Sequence, residues 1–80
     1  IRSVWPANIA DHAIAIAQRE SNLIPTARNY CCVGLFALYA SIYANFARSL
    51  GYSVDQFTDP YVNSVIAYQT YLRQGWAPWA

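Results

Sequence analysis

The chain has 80 residues, 56% of them hydrophobic and 11% charged, which admits one compact domain, residues 1–80, and no second one. A domain this short hides only about 60% of the surface its unfolded chain exposes, so it is expected to lean on a parent protein or a partner chain. The formal net charge is +1, and its cations Arg2, Arg19, Arg28, Arg48 and Arg73 are scattered singly, so the basic field of a nucleic-acid binder is missing.

No apolar run reaches the roughly 18 to 20 residues that span a bilayer. The longest candidate, 31–47, is interrupted by Ser41 and Asn45 and is rich in tyrosine, which suits a soluble helix better than a membrane-surface one. The opening residues lack the basic stretch and apolar core of a secretory leader. The absence of methionine suits a processed product or a fragment of a longer polypeptide.

The first element is a helix. Pro6 suits its first turn, and Ile9, Ala13, Ile16, Ala17 and Glu20 recur at three- and four-residue steps as one face. Asn8, Asp11, His12, Gln18, Arg19 and Asn22 fall largely on the other side, and Pro25 ends the helix near Ser21. A polar turn through Thr26, Ala27, Arg28 and Asn29 leads to Tyr30, and this loop is the natural carrier of function.

Cys31 and Cys32 are neighbours, and a bridge between them would close a strained ring, so they read as two small buried apolar residues. With His12 as the sole histidine and no third thiol, no metal site is expected. Leu35 to Leu50 favours helix, as one piece or two shorter ones, with Gly51 as its stop. The third helix opens on Asp59 as cap and Pro60 at the first position, carries Val62, Val65, Ile66, Gln69 and Leu72 on one face, and ends at Gly75. The closing Trp76-Ala77-Pro78-Trp79 cannot continue the helix through its proline and is expected to wrap back on the body. No strand signal or internal repeat is read, and the expected class is an all-α, small helical domain.

Glu20 is the only glutamate, and it lies on the apolar face of the first helix. A desolvated carboxylate favours its neutral form, the condition for donating a proton near neutral pH. The plainer alternative places it at an exposed helix end, paired with Arg19 or Arg28.

The segment Glu20-Ser21-Asn22-Leu23-Ile24-Pro25-Thr26-Ala27-Arg28-Asn29 resembles the glutamate-serine-x-x-x-proline-x-alanine segment of soluble lytic transglycosylases and goose-type lysozymes, especially their compact versions in bacteriophage tails and lysins. Gly34-Leu35-Phe36 is similar to that family's glycine-leucine-methionine or glycine-leucine-phenylalanine motif. Asp59-Pro60 with Asn63 and Ala67 resembles its aspartate-proline-x-x-asparagine helix start, and the ending from Gly75 to Trp79 its tryptophan-rich close.

The resemblance runs from about Ile9 to the end of the chain and implies a lysozyme-like domain that cleaves the bond between N-acetylmuramic acid and N-acetylglucosamine in peptidoglycan, with Glu20 as general acid. It implies no cofactor, glycan strands and other virion or parent-chain domains as partners, and a location outside the cytoplasm, in the cell wall or the phage virion. Ser21, Asn22, Tyr30, Gly34, Leu35, Phe36, Tyr68 and Tyr71 become candidate substrate contacts, the last two because a family tyrosine near the third helix approaches the acid. Where the family places a groove-lining glutamine after the glycine motif, this chain has Ala37, which removes a hydrogen-bonding amide. A catalytically degenerate structural or glycan-binding module is therefore the alternative.

A two-carboxylate glycosidase needs its second acid within about 5 to 10 Å of the first. Asp11 precedes Glu20 by about 900° of helical rotation and so faces away, Asp59 serves as a cap, and nothing recommends Asp55. A mechanism with one acid follows. The resemblance to the transglycosylases implies the same: one carboxyl that would act as acid and then base, with either the muramic acid 6-hydroxyl closing on its own anomeric carbon or water taking its place.

Overall fold

The computed structural model describes every residue from Ile1 to Ala80. In chain order the elements are α1 (Ala7–Ser21), β1 (Cys32–Val33), β2 (Leu38–Tyr39), α2 (Ala40–Ser49) and α3 (Pro60–Gln74), with single 3-10 turns at Val54–Gln56 and Ala77–Trp79.

Helix α1 is rich in alanine, the residue that forms helix at least cost, and buries Ala10, Ala13, Ile16, Ala17 and Ser21. It stops because Asn22 adopts the left-handed conformation at φ 55° and its N–H bonds the Gln18 carbonyl at 2.9 Å. Leu23 follows at φ 60°, so two consecutive left-handed residues turn the chain sharply just beyond Glu20 and Ser21.

The following segment is not helical. Strands β1 and β2 pair antiparallel, Cys32 opposite Tyr39 and Val33 opposite Leu38. On the other side of β1, the Asn29 N–H bonds the Cys32 carbonyl at 3.0 Å, the Gly34 N–H bonds the Ala27 carbonyl at 2.8 Å, and Arg28 bridges to Val33. A small three-row meander results, and the expected all-α class is wrong: the chain is a mixed α/β fold with three helices and one two-stranded sheet. Two-residue strands are too short to show alternating polarity, and the apolar run from Leu35 fits a helical period equally well. Helix begins only at Ala40 because Gly34 at φ 85° and Ala37 at φ 49° shape a turn that no helix can contain.

The cysteines are also not what their adjacency suggests. Cys31 and Cys32 form a disulfide and both are only half-buried. The turn makes this feasible, because the Asn29 side-chain oxygen accepts from the N–H groups of Cys31 at 3.0 Å and Cys32 at 2.9 Å and folds both residues around one acceptor.

Helix α3 begins as its residues dictate. The Asp59 carboxylate accepts from the N–H groups of Tyr61 and Val62 at 2.9 and 3.2 Å, with Pro60 in the first turn. One turn later Asn63 is fully buried, and its side chain makes three hydrogen bonds with backbone groups. Its Nδ2 donates to Val33 O at 3.0 Å and Phe57 O at 2.9 Å, while its Oδ1 accepts from Phe36 N–H at 2.9 Å. Gly34 lies against this amide, where a Cβ would overlap the Asn63 side chain and the Phe57 carbonyl.

Around this clamp the core collects Phe36, Leu38, Phe57 and Ile66, all essentially inaccessible to solvent. Trp5 packs between Phe36 and Trp76, each with ring centroids 5.5 Å away. The C-terminal segment does fold back: Trp79 is buried and its indole N–H donates to Phe36 O at 3.1 Å. Its single 3-10 turn tolerates Pro78 because the first turn needs no N–H from that residue.

Replacing Asn63 by alanine strands three buried backbone groups at about 1–3 kcal/mol each. The expected loss is at least about 3 kcal/mol, read as a shift in the urea midpoint followed by circular dichroism. Gly34→Ala displaces the same amide and also strikes the Phe57 carbonyl at a positive φ, so the double variant is expected to lose less than the sum of the two single losses; strictly additive losses would show that the two positions act separately.

Candidate active site

Glu20 leaves the last turn of α1 beside the meander. Together with Ala27, Arg28, Asn29, Cys32, Gly34 and Ala37 it lines an open recess of about 120 Å³. Pockets that enclose a drug-sized ligand run to roughly 300–1,000 Å³, so this one can take part of a larger molecule while the rest stays outside.

Glu20 is an exposed residue near the end of α1, its side chain 29% accessible, and its Oε2 accepts from Arg19 Nε at 3.0 Å, so the structure gives the ion-paired helix-end glutamate of the plainer alternative and not a desolvated carboxylate. Arg19 also donates through Nη2 to the Trp79 carbonyl, so one guanidinium joins the carboxylate to the C-terminal turn. Arg28 is the one cation in the recess lining itself. No other carboxylate lines it. Asp11 is taken by Arg2 at 2.6 Å on the surface, and Asp59 caps α3.

The remaining candidates fall into three groups. Gly34 lines the recess beside Glu20. Ser21, Leu35 and Phe36 are buried: the Ser21 hydroxyl donates to Ala17 O at 3.0 Å, Leu35 and Phe36 belong to the core, and the Phe36 backbone groups are engaged by Asn63 and Trp79. Asn22, Tyr30, Tyr68 and Tyr71 are not part of the recess lining. Asn22 is the left-handed cap, accepting from Gln18 Nε2 at 3.2 Å, and Tyr30 is 99% exposed. Tyr68 and Tyr71 pack on Trp5 with centroids at 5.2 and 5.5 Å, and Tyr71 approaches Trp76 at 4.4 Å.

Arg28, Asn29 and Cys32 line the recess although their residue types did not single them out as contacts. The available signal was an asparagine placed two and three residues before the cysteine N–H groups, a spacing that nucleates a tight turn. Ala37, the position at which the motif resemblance would expect a glutamine, lines the recess and holds φ 49° without being glycine.

A second recess of about 250 Å³ opens between α2, α3 and the C-terminal turn, lined by residues that include Ile42, Tyr43, Phe46, Thr70, Arg73 and Pro78. Arg73 covers the Phe46 ring at 4.8 Å from its centroid. Burial pushes the Tyr43 hydroxyl above its ordinary value of 10.0, with the neighbouring Thr70 hydroxyl pulling the other way. No carboxylate lines this second recess, whereas Glu20 lines the first.

Compared with known proteins, the chain matches no family model, no curated protein and no solved structure.

Two measurements probe this geometry. Ala37→Gly removes the penalty of a left-handed alanine and is expected to stabilise the fold by about 1 kcal/mol in urea denaturation. Because the folded Tyr43 resists ionisation while the unfolded chain ionises normally, the protein's stability is unaffected by this group below pH 10.0 and falls as pH rises beyond it. Tyr43→Phe is expected to flatten that alkaline decline in a series of melting temperatures taken across it.

Proposed function

We propose that this domain cleaves the β-1,4 bond between N-acetylmuramic acid and N-acetylglucosamine in peptidoglycan, as a lytic transglycosylase or lysozyme with Glu20 as its one catalytic carboxyl. The observation that carries the reading is a lone glutamate at the edge of a recess, inside a glutamate-serine-x-x-x-proline-x-alanine segment and beside a Gly34-Leu35-Phe36 turn. The recess has room for one group of an extended polymer and leaves the flanking sugars outside, which suits a strand better than a small metabolite.

In this mechanism protonated Glu20 gives its proton to the glycosidic oxygen as the bond to the muramic acid anomeric carbon breaks, and positive charge develops on the sugar ring. The resulting carboxylate then takes the proton from the 6-hydroxyl of the same sugar while that oxygen bonds the anomeric carbon, giving a 1,6-anhydro end. If water supplies the oxygen, the product is an ordinary reducing end. The absence of a second carboxylate in the lining favours this single-group cycle over a nucleophile pair. Arg19 must yield its hold on Oε2 for the proton to be carried, and Arg28 offers the departing strand a hydrogen-bond donor.

The partners in this reading are glycan strands, with virion or parent-chain domains beside them, and the location is extracellular, in the cell wall or a phage tail. A Cys31–Cys32 disulfide needs oxidising surroundings to stay closed, which supports a place outside the cytoplasm. Phage association rests on the motif resemblance alone.

A second reading, a structural or glycan-binding module that has lost its chemistry, is favoured by the Arg19 ion pair on Glu20 and by Ala37 in the lining.

Purified sacculi distinguish the two. Release of soluble muropeptides by the intact chain, falling about 10²–10⁴-fold in Glu20→Gln, is the expected result for a general acid. Equally negligible release by both proteins selects the structural module. Mass spectrometry of the products separates anhydro from reducing ends, and an exclusively reducing set assigns the lysozyme.

A further inference from the structure

The Cys31–Cys32 disulfide belongs to no part of the chemistry above, yet Cys32 lines the same recess as Glu20. We propose that this disulfide is a positioning element of the recess, and that its reduction by a dithiol weakens the binding of a glycan strand there. The inference rests on the glycan-cleaving reading.

A disulfide normally stabilises a fold by closing a long loop of the unfolded chain. Here the bridged residues are adjacent, with a sequence separation of 1, so the bond holds no distant elements together and its effect is confined to its own neighbourhood. That neighbourhood is densely fixed. Asn29 Oδ1 accepts from both cysteine N–H groups, the Cys32 carbonyl accepts from Asn29 N–H at 3.0 Å, and the Cys31 carbonyl accepts from Ala40 N–H at 3.2 Å. Cys31 Sγ also lies 3.3 Å from Asn29 Oδ1, a contact without a shared proton because the bridged sulfur carries none.

Apolar burial contributes little to this order. Both cysteines are half-buried, Asn29 is exposed, and Tyr30 between them is 99% exposed. The covalent ring and the Asn29 side chain therefore hold the wall where core packing holds the rest of the molecule. Opening the ring returns backbone freedom to two residues, and a ligand must then remove that freedom on binding.

Because both cysteines are only half-buried, a reductant in solution can approach the bond. A dithiol attacks one of them to give a mixed disulfide, and its second thiol closes on the first. Two electrons and two protons pass to Cys31 Sγ and Cys32 Sγ, and the dithiol leaves as a cyclic disulfide.

The test titrates a tetramer of alternating N-acetylglucosamine and N-acetylmuramic acid into Glu20→Gln protein by calorimetry, oxidised and then reduced with dithiothreitol, well below the melting temperature. The expected Kd rises about tenfold on reduction, the scale of re-ordering one or two residues, and recovers on reoxidation. The Cys31→Ser/Cys32→Ser double variant is expected to match the reduced value and to ignore dithiothreitol, while far-ultraviolet circular dichroism stays that of the oxidised chain. A reduced, folded chain that binds within about twofold of the oxidised one overturns the proposal, as does a double variant that binds like the oxidised chain. Loss of the helical spectrum on reduction also overturns it, since the bridge would then serve the whole fold. If oxidised protein takes no tetramer at all, the glycan-cleaving reading falls and this inference with it, an outcome distinct from unaltered binding after reduction.

Discussion

The Asn63 side chain is the joint on which the molecule turns. One buried amide satisfies the carbonyls of Val33 and Phe57 and the N–H of Phe36, three backbone groups from separate stretches of the loop-rich middle. Nothing else in that stretch is long enough to be stable alone, since each strand contributes two residues. The amide ties the meander to α3, and α3 in turn is started one turn earlier by Asp59. The same amide dictates a glycine at position 34, because there is no room for a Cβ. The candidate recess is thus built from behind: Gly34 is part of its lining, and what keeps Gly34 in place is a side chain from a different helix.

How much of this could be read from residues alone depends on length. Helices α1 and α3 are long enough for a 3.6-residue period to stand out, and Asp59-Pro60 names the start of α3 by the chemistry of its cap. The meander left no comparable trace. Its pairings depend on Gly34 and Ala37 taking positive φ, and an alanine carries no sequence mark of doing so. The disulfide escaped for a related reason. Adjacency argues against a bridge in an ordinary chain, and the Asn29 turn that permits it becomes evident only with the hydrogen bonds in view.

The candidate site was legible at its centre and less so at its edges. Glu20 and Gly34 do line one recess. Leu35 and Phe36 come from the same motif, yet they serve the core, because a motif records which residues recur together and not which of them face outward. Tyr68 and Tyr71 show the same ambiguity for aromatics. Their rings complete a cluster with Trp5 and Trp76 and leave the recess to smaller polar residues. The functional reading stands on one carboxyl group, its surroundings and the short motifs around it.

Arg19 has a consequence of its own. Its forked head spans the acid at the end of α1 and a carbonyl three residues into the closing turn, and the same turn anchors Trp79 against Phe36. The last residues and the Glu20 carboxylate therefore share one tether: displacing the closing turn withdraws an acceptor from the Arg19 guanidinium and leaves the carboxylate as its remaining side-chain partner.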